Sequence, residues 1–90
     1  MREIVIGDVV KATAGRDKGK FFLVIDVSDG FALIVDGKTR KVGKPKRKNV
    51  KHLIKAAVAS MEKDAEKIRR GEPFGNEKLK KAISRAVQKN

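Results

Sequence analysis

The sequence contains no cysteine, tryptophan or tyrosine, and only one histidine, two prolines and four phenylalanines. Without cysteine there is no disulfide and no thiolate metal site, so a cytoplasmic location is expected over a secreted one. His52 stands alone and cannot nucleate a zinc site; no metal and no cofactor are expected. Long apolar runs are also missing. None approaches the ~20 residues that a bilayer span requires, and Asp8 and Lys11 interrupt the N-terminal segment where a signal peptide would need its apolar core. Paired carboxylates suited to acid–base work are not apparent either. Asp8, Asp26, Asp29 and Asp36 sit at turns or strand ends, where turn and edge roles explain them better. The stretch Gly-Arg-Asp-Lys-Gly-Lys lacks P-loop spacing and opens no helix. A chain of 90 residues builds one small domain with a modest core. It has no room for a buried catalytic cleft beside a substrate pocket, so a non-enzymatic role is expected.

Positive charge, by contrast, is abundant: 23 Lys and Arg against 11 Asp and Glu, a formal net charge of +12. Self-repulsion of that size destabilises a compact fold unless an anionic partner offsets it. The candidates are nucleic acid and membrane surfaces. Membrane binding is the weaker, because the apolar helical stripe described below is short and rich in alanine.

The pattern along the chain changes near Lys55. Before it, β-branched and aromatic runs alternate with glycine-containing turns. Val9–Thr13 reads as a first strand after a Gly7-Asp8 turn, and residues 14–19 read as a loop. Lys20–Val27 is the strongest strand, with Phe21, Leu23, Ile25 and Val27 on one face and Phe22 and Val24 on the other. Asp29-Gly30 is a two-residue hairpin signal leading into Phe31–Val35. Asp36-Gly37 repeats the device and leads into a fourth strand over Lys38–Val42. Pro45 then keeps Lys46, Arg47 and Lys48 on a stiff linker. Val50–Ile54 reads as a fifth strand, although Val50, Leu53, Ile54, Ala57, Val58 and Met61 also fit a helical spacing. Five short strands with tight turns suggest a small barrel.

The remainder reads as two helices. Ser60 can cap the first, which carries Met61, Ala65 and Ile68 on one face and stops at Gly71. Asn76 can cap the second, whose apolar stripe is Leu79, Ala82, Ile83, Ala86 and Val87 and whose polar face carries Lys78, Lys80, Lys81, Arg85 and Lys89. The expected fold is therefore mostly β with α: a five-stranded barrel over residues 1–55, then a helical hairpin over 56–90 packed on or beside it.

Gly7-Asp8-Val9-Val10-Lys11, then Ala14 to Lys20 with Gly15, Lys18 and Gly19, then an apolar strand, resembles the KOW motif of ribosomal proteins and transcription elongation factors. The similarity extends through Asp36-Gly37 and the basic run to Leu53, where the chain resembles bacterial KOW-domain RNA-binding proteins. Those in turn are similar to a large-subunit ribosomal protein family of archaea and eukaryotes, the fourteen-e type. The resemblance covers roughly the first sixty residues. It implies an SH3-like barrel, a place in translation and RNA, ribosomal RNA in particular, as partner.

Residue chemistry agrees. Lys and Arg on phosphates release condensed counterions, and a glycine-rich loop lets the backbone approach an anion. Two groups of candidate contacts follow: Lys11, Gly15, Arg16, Lys18, Gly19 and Lys20 around the motif loop, and Lys38, Arg40, Lys41, Lys44, Lys46, Arg47, Lys48 and Lys51 in the acid-free run. Phe21, Phe22 and Phe31 lie on apolar strands and are expected in the core, and Phe74 in a loop that covers the helices. That leaves few stacking platforms and points to recognition by phosphate and shape. Two alternatives are a protein-interaction module of the transcription or translation machinery, docking through the C-terminal helices, and an architectural DNA-binding protein.

Overall fold

The computed structural model describes residues 3–58 and 60–88; Lys89, expected on the polar face of the second helix, lies outside them. Five strands, β1 (Val9–Ala12), β2 (Phe21–Ser28), β3 (Phe31–Val35), β4 (Lys46–Asn49) and β5 (Leu53–Ala57), precede two helices, α1 (Glu62–Arg69) and α2 (Asn76–Gln88). The strands form one antiparallel sheet in the order β4-β3-β2-β1-β5. The outermost strands are joined by a single 3-10 turn, Val50–His52. In a flat sheet four inter-strand steps of about 4.8 Å would set β4 and β5 about 19 Å apart, further than a 3-10 turn rising about 2 Å per residue can reach. The sheet must therefore curl without closing. This agrees with the expected small SH3-like barrel with two helices.

Two bulges assist the curl. In β2, Val24 faces Ile34 but Asp26 faces Leu33, one extra residue on β2. Every side chain beyond that point changes face. Val27, expected beside Leu23 and Ile25, instead packs with Val24, Ala32 and Ile34. Asp26 lands on the helical side, where Arg69 of α1 meets it at 3.7 Å. A second irregularity lies between β1 and β5, where Val9 faces Ala57 and Val10 faces Lys55.

Both faces of the sheet are apolar, as the β2 pattern requires. Phe22, Val10, Ala12 and Leu53 fill the inside of the curl. On the outer face, Val9, Leu23, Ile25 and Val35 take the stripes of both helices, through Met61, Ala65 and Ile68 of the first segment and Leu79, Ile83 and Ala86 of the second. The helices thus dock on the sheet, α1 against β2 and α2 against β1, β2 and β5. Sheet and helices share one core.

Each helix begins against a glycine. A Cβ on Gly7, whose φ is +95°, would sit 2.6 Å from the Glu62 Cα at the start of α1. A Cβ on Gly37, φ +80°, would overlap the Asn76 carbonyl at the start of α2. Only glycine has both the conformation and the clearance for these contacts. The helix ends depart from expectation at two caps. Met61 rather than Ser60 precedes α1, with its N–H donating to the Gly7 carbonyl at 3.1 Å. Asn76 spends its side-chain oxygen on the Val42 N–H at 3.0 Å, which ties loop 36–45 to the helix. At the other end of α1, Gly71 behaves as expected: its N–H reaches the Ile68 carbonyl and that of Glu72 the Lys67 carbonyl, both at 3.0 Å, a Schellman closure.

The fourth strand is displaced. Lys38–Val42 is not a strand, because Asp36 folds that segment onto itself. Its carboxylate accepts from the Lys38 N–H (2.8 Å), the Arg40 N–H (2.7 Å) and the Thr39 hydroxyl (2.9 Å), which outcompetes ladder pairing. The strand forms instead over Lys46–Asn49, the expected linker. Its backbone pairs with β3 from Phe31↔Asn49 to Ile34↔Lys46. A lysine-rich edge strand preceded by proline is a common way to protect a sheet edge. The fifth strand is likewise shifted, to Leu53–Ala57, with Val50–His52 forming the 3-10 turn; the helical alternative for this stretch is not realised.

Candidate nucleic-acid interface

The motif loop, residues 13–20, connects β1 to β2 and is closed by its own backbone. The Gly19 N–H donates to the Ala12 carbonyl (2.8 Å), the Lys20 N–H to Asp17 (2.9 Å) and the Lys18 N–H to Gly15 (3.2 Å). Gly15 and Gly19 both have positive φ, +80° and +87°. The amides of Lys18, Gly19 and Lys20 are consumed in this closure and cannot serve an anion. Those of Gly15 and Arg16 donate to no acceptor among the described residues.

Asp17 is the centre of the site, and nothing in the sequence singles it out. It is only 2% exposed although it lies in a surface loop. Its carboxylate takes Lys46 of β4 at 3.2 Å and Arg40 of loop 36–45 at 3.4 Å. Burial pushes the Asp17 carboxyl up, but the hydrogen bond and charge of Lys46 and the charge of Arg40 outweigh it, so its pKa lies below the ordinary aspartate value. Next to this cluster, Lys48 is 9% exposed and donates to the Ala14 carbonyl at 3.0 Å. Lys46 and Lys48 share one face of β4 and clamp the motif loop from beneath. Arg47 points the other way and stacks its guanidinium 3.7 Å from the centre of the Phe31 ring.

The two basic segments, separate in sequence, thereby form one surface. Its twelve candidate cations divide into two sets. Arg40, Lys46 and Lys48 are committed to internal partners, and Arg40 also holds a buried Nε with no acceptor among the described residues. These three build the site. Arg16, Lys18, Lys20, Lys38, Lys41, Lys44 and Lys51 are exposed and make no ion pair among the described residues. Lys11 and Arg47 are exposed too, each with its charge over a phenylalanine. Acidic groups on this side are neutralised or engaged: Asp17 by its two cations, Asp36 by its own turn. Around α1, by contrast, charges alternate: Arg69 pairs with Glu66 and Arg70 with Glu72. Charge is thus balanced around α1 and in basic excess on the motif loop and segment 38–51.

Phe21 and Phe31 depart from expectation, while Phe22 is in the core and Phe74 packs against the helical cluster. Only Phe22 is fully buried. Phe21, Phe31 and Phe74 are partly exposed, and each carries a cation over its ring, with Lys11 at 5.7 Å from Phe21 and Lys78 at 4.9 Å from Phe74. Lys80 is a site residue that sequence reasoning does not find. It belongs to the polar face of α2, yet Gly37 draws that helix against loop 36–45, and Lys80 joins Lys20 and Lys38 around one groove. Its ammonium also meets Glu77 at 2.8 Å, which lowers the pKa of that carboxyl. His52 is exposed in the 3-10 turn, its carbonyl accepting from the Thr13 N–H at 2.8 Å. Among the described residues no group of acidic or histidine side chains is arranged to hold a metal ion, and no described helix is long and apolar enough to cross a membrane. No protein-family model matches the chain.

Proposed function

We propose that this protein binds structured RNA, ribosomal RNA being the partner that the KOW resemblance implies, through phosphate contacts from the motif loop and the basic segment 38–51. One observation carries the reading. Asp17 and the Ala14 carbonyl use up Lys46, Arg40 and Lys48 to draw the loop and the basic segment together, while the neighbouring cations face solvent. Exposed like charges held together repel one another and cost stability; a polyanion removes that cost and releases its counterions on binding. The solvent-facing cations lie mainly on the motif loop and loop 36–45, with Lys11, Arg47 and Lys51 on β1, β4 and the 3-10 turn.

Two measurements test this. RNA crosslinked to the protein in its native cells and sequenced should be mainly ribosomal; absence of RNA enrichment would refute the reading. In vitro, log affinity should fall linearly with log salt, by roughly 0.7 to 0.9 per phosphate neutralised.

A specific observation favours a second reading, a protein-interaction role, but not through the helices. Their apolar stripes are buried on the sheet. Two of the three large apolar side chains exposed among the described residues, the third being Val5, are on and beside the outer edge of β5: Ile54 is 54% and Val58 44% exposed, lining a shallow cavity with Ile4 and Val50. A protein partner that protects Ile54 and Val58 from hydrogen exchange or labelling would support this role. The architectural DNA-binding role has no feature of its own among the described residues.

A further inference from the structure

The groove between loop 36–45, the start of β2 and the last turns of α2 has a composition unlike the rest of the basic surface. Its volume is about 470 Å³, within the range of small-ligand sites. Phe21, Ile83 and Val87 supply an apolar floor, and Lys20, Lys38 and Lys80 stand at the rim, the Lys80 ammonium being paired with Glu77 at 2.8 Å. Three elements distant in sequence contribute the three ammonium groups. Asp36, the acid among the lining residues, has its carboxylate occupied by the turn it stabilises. The hydroxyl of Ser84 and the amide of Gln88 stand at the helical wall.

An apolar floor containing an aromatic ring, beside the two ammonium groups of Lys20 and Lys38, is complementary to a ligand with a flat apolar body and an anionic tail. We infer that this groove receives one unstacked nucleotide of the bound RNA, its base against Phe21, Ile83 and Val87 and its flanking phosphates on Lys20 and Lys38. The inference rests on the RNA-binding reading and sharpens it: recognition includes a bulged or looped-out base as well as phosphate and shape. Single-stranded and bulged RNA is commonly read by placing splayed bases against aromatic side chains. Loop closure by Asp36 and the glycine contact with α2 fix the groove walls in advance, so little ordering is required on binding.

The test uses two RNA hairpins of equal length carrying 2-aminopurine, one with the fluorescent base in a single-nucleotide bulge and one with it paired. The wild-type protein should prefer the bulged hairpin by at least about fivefold, the lower end of what one base–aromatic contact provides, with a change in 2-aminopurine emission on binding. Ser84 is exposed on α2, and Ser84→Trp should fill the groove without disturbing the core. This variant should lose the preference while retaining its affinity for the paired hairpin and its thermal midpoint. Equal affinity of the wild type for both hairpins, or a preference that survives Ser84→Trp, would overturn the inference and leave RNA binding standing. Failure to bind either hairpin would overturn both. In an amide NMR titration, an Asp-Phe peptide that shifts Phe21, Ser84 and Val87 at lower concentration than the bulged hairpin would overturn the inference in favour of a protein ligand.

Discussion

Asp17→Asn removes one charge and almost no volume, so it isolates what the buried carboxylate contributes. In the folded protein Asp17 accepts two charge-assisted hydrogen bonds, at 3.2 and 3.4 Å. Bonds to charged groups contribute about 1.5–3 kcal/mol each where both partners are buried. Here the Arg40 and Lys46 side chains are about one-third exposed, and solvent screening reduces the contribution. A net loss of about 2 kcal/mol is expected, which in a domain of this size lowers the thermal midpoint by on the order of 10 °C. The pH dependence follows from the lowered pKa. A group whose folded pKa is depressed contributes stability that is fully present above its unfolded value, about 3.9 for aspartate, and lost as pH falls through the folded value. Wild type and Asp17→Asn should therefore differ most at neutral pH and converge below about pH 3.9. Thermal or urea unfolding followed by circular dichroism at pH 7, 5, 3 and 2 measures this. Equal stability at pH 7, or a gap as wide at pH 2 as at pH 7, would refute the assignment of Asp17 as the clamp of the two basic segments.

Lys48→Met keeps the aliphatic stem and removes the bond to the Ala14 carbonyl; a loss of about 1–2 kcal/mol is expected by urea unfolding, with the RNA salt slope nearly unchanged because this cation is already engaged. Lys41→Gln with Lys44→Gln should do the reverse, lowering the salt slope by roughly 0.7–0.9 for each phosphate left unneutralised while stability stays within about 0.5 kcal/mol. Gly7→Ala should cost at least about 3 kcal/mol, combining a positive-φ backbone with overlap against Glu62. Its readout is loss of hydrogen-exchange protection in α1.

Much of the fold was legible because alternation and turn chemistry agree. The β2 pattern, the Asp29-Gly30 hairpin and the Gly71 stop each follow from local residues. The misplaced fourth strand shows where local reading ends. Asp36-Gly37 has the composition of a hairpin turn, and only the side-chain bonds of Asp36 in three dimensions show that it closes on itself. Lys46–Asn49 has no apolar alternation at all, since an edge strand can be held by backbone pairing alone. Val27 changed sides because a bulge inserts one residue upstream, and a bulge leaves no trace in hydropathy. For the site, composition located the cations but could not sort them. Whether a lysine is free or engaged depends on Asp17, which lies 23 residues from Arg40 and 29 from Lys46.

The strand order also sets a sequence of events as the chain leaves the ribosome. Strands β1 to β4 pair with near neighbours, so a four-stranded sheet can assemble once residues up to 49 have emerged. The last pairing, of residues 9–12 with residues 53–57, closes a loop of some forty residues and comes late, since loop-closure entropy must be met before the contact rewards it. Both helices arrive later still. Until then Val9, Leu23, Ile25 and Val35 are uncovered on the outer face. A chain that has emerged only to about residue 58 therefore presents an apolar sheet beside a dense band of lysines, a form prone to self-association.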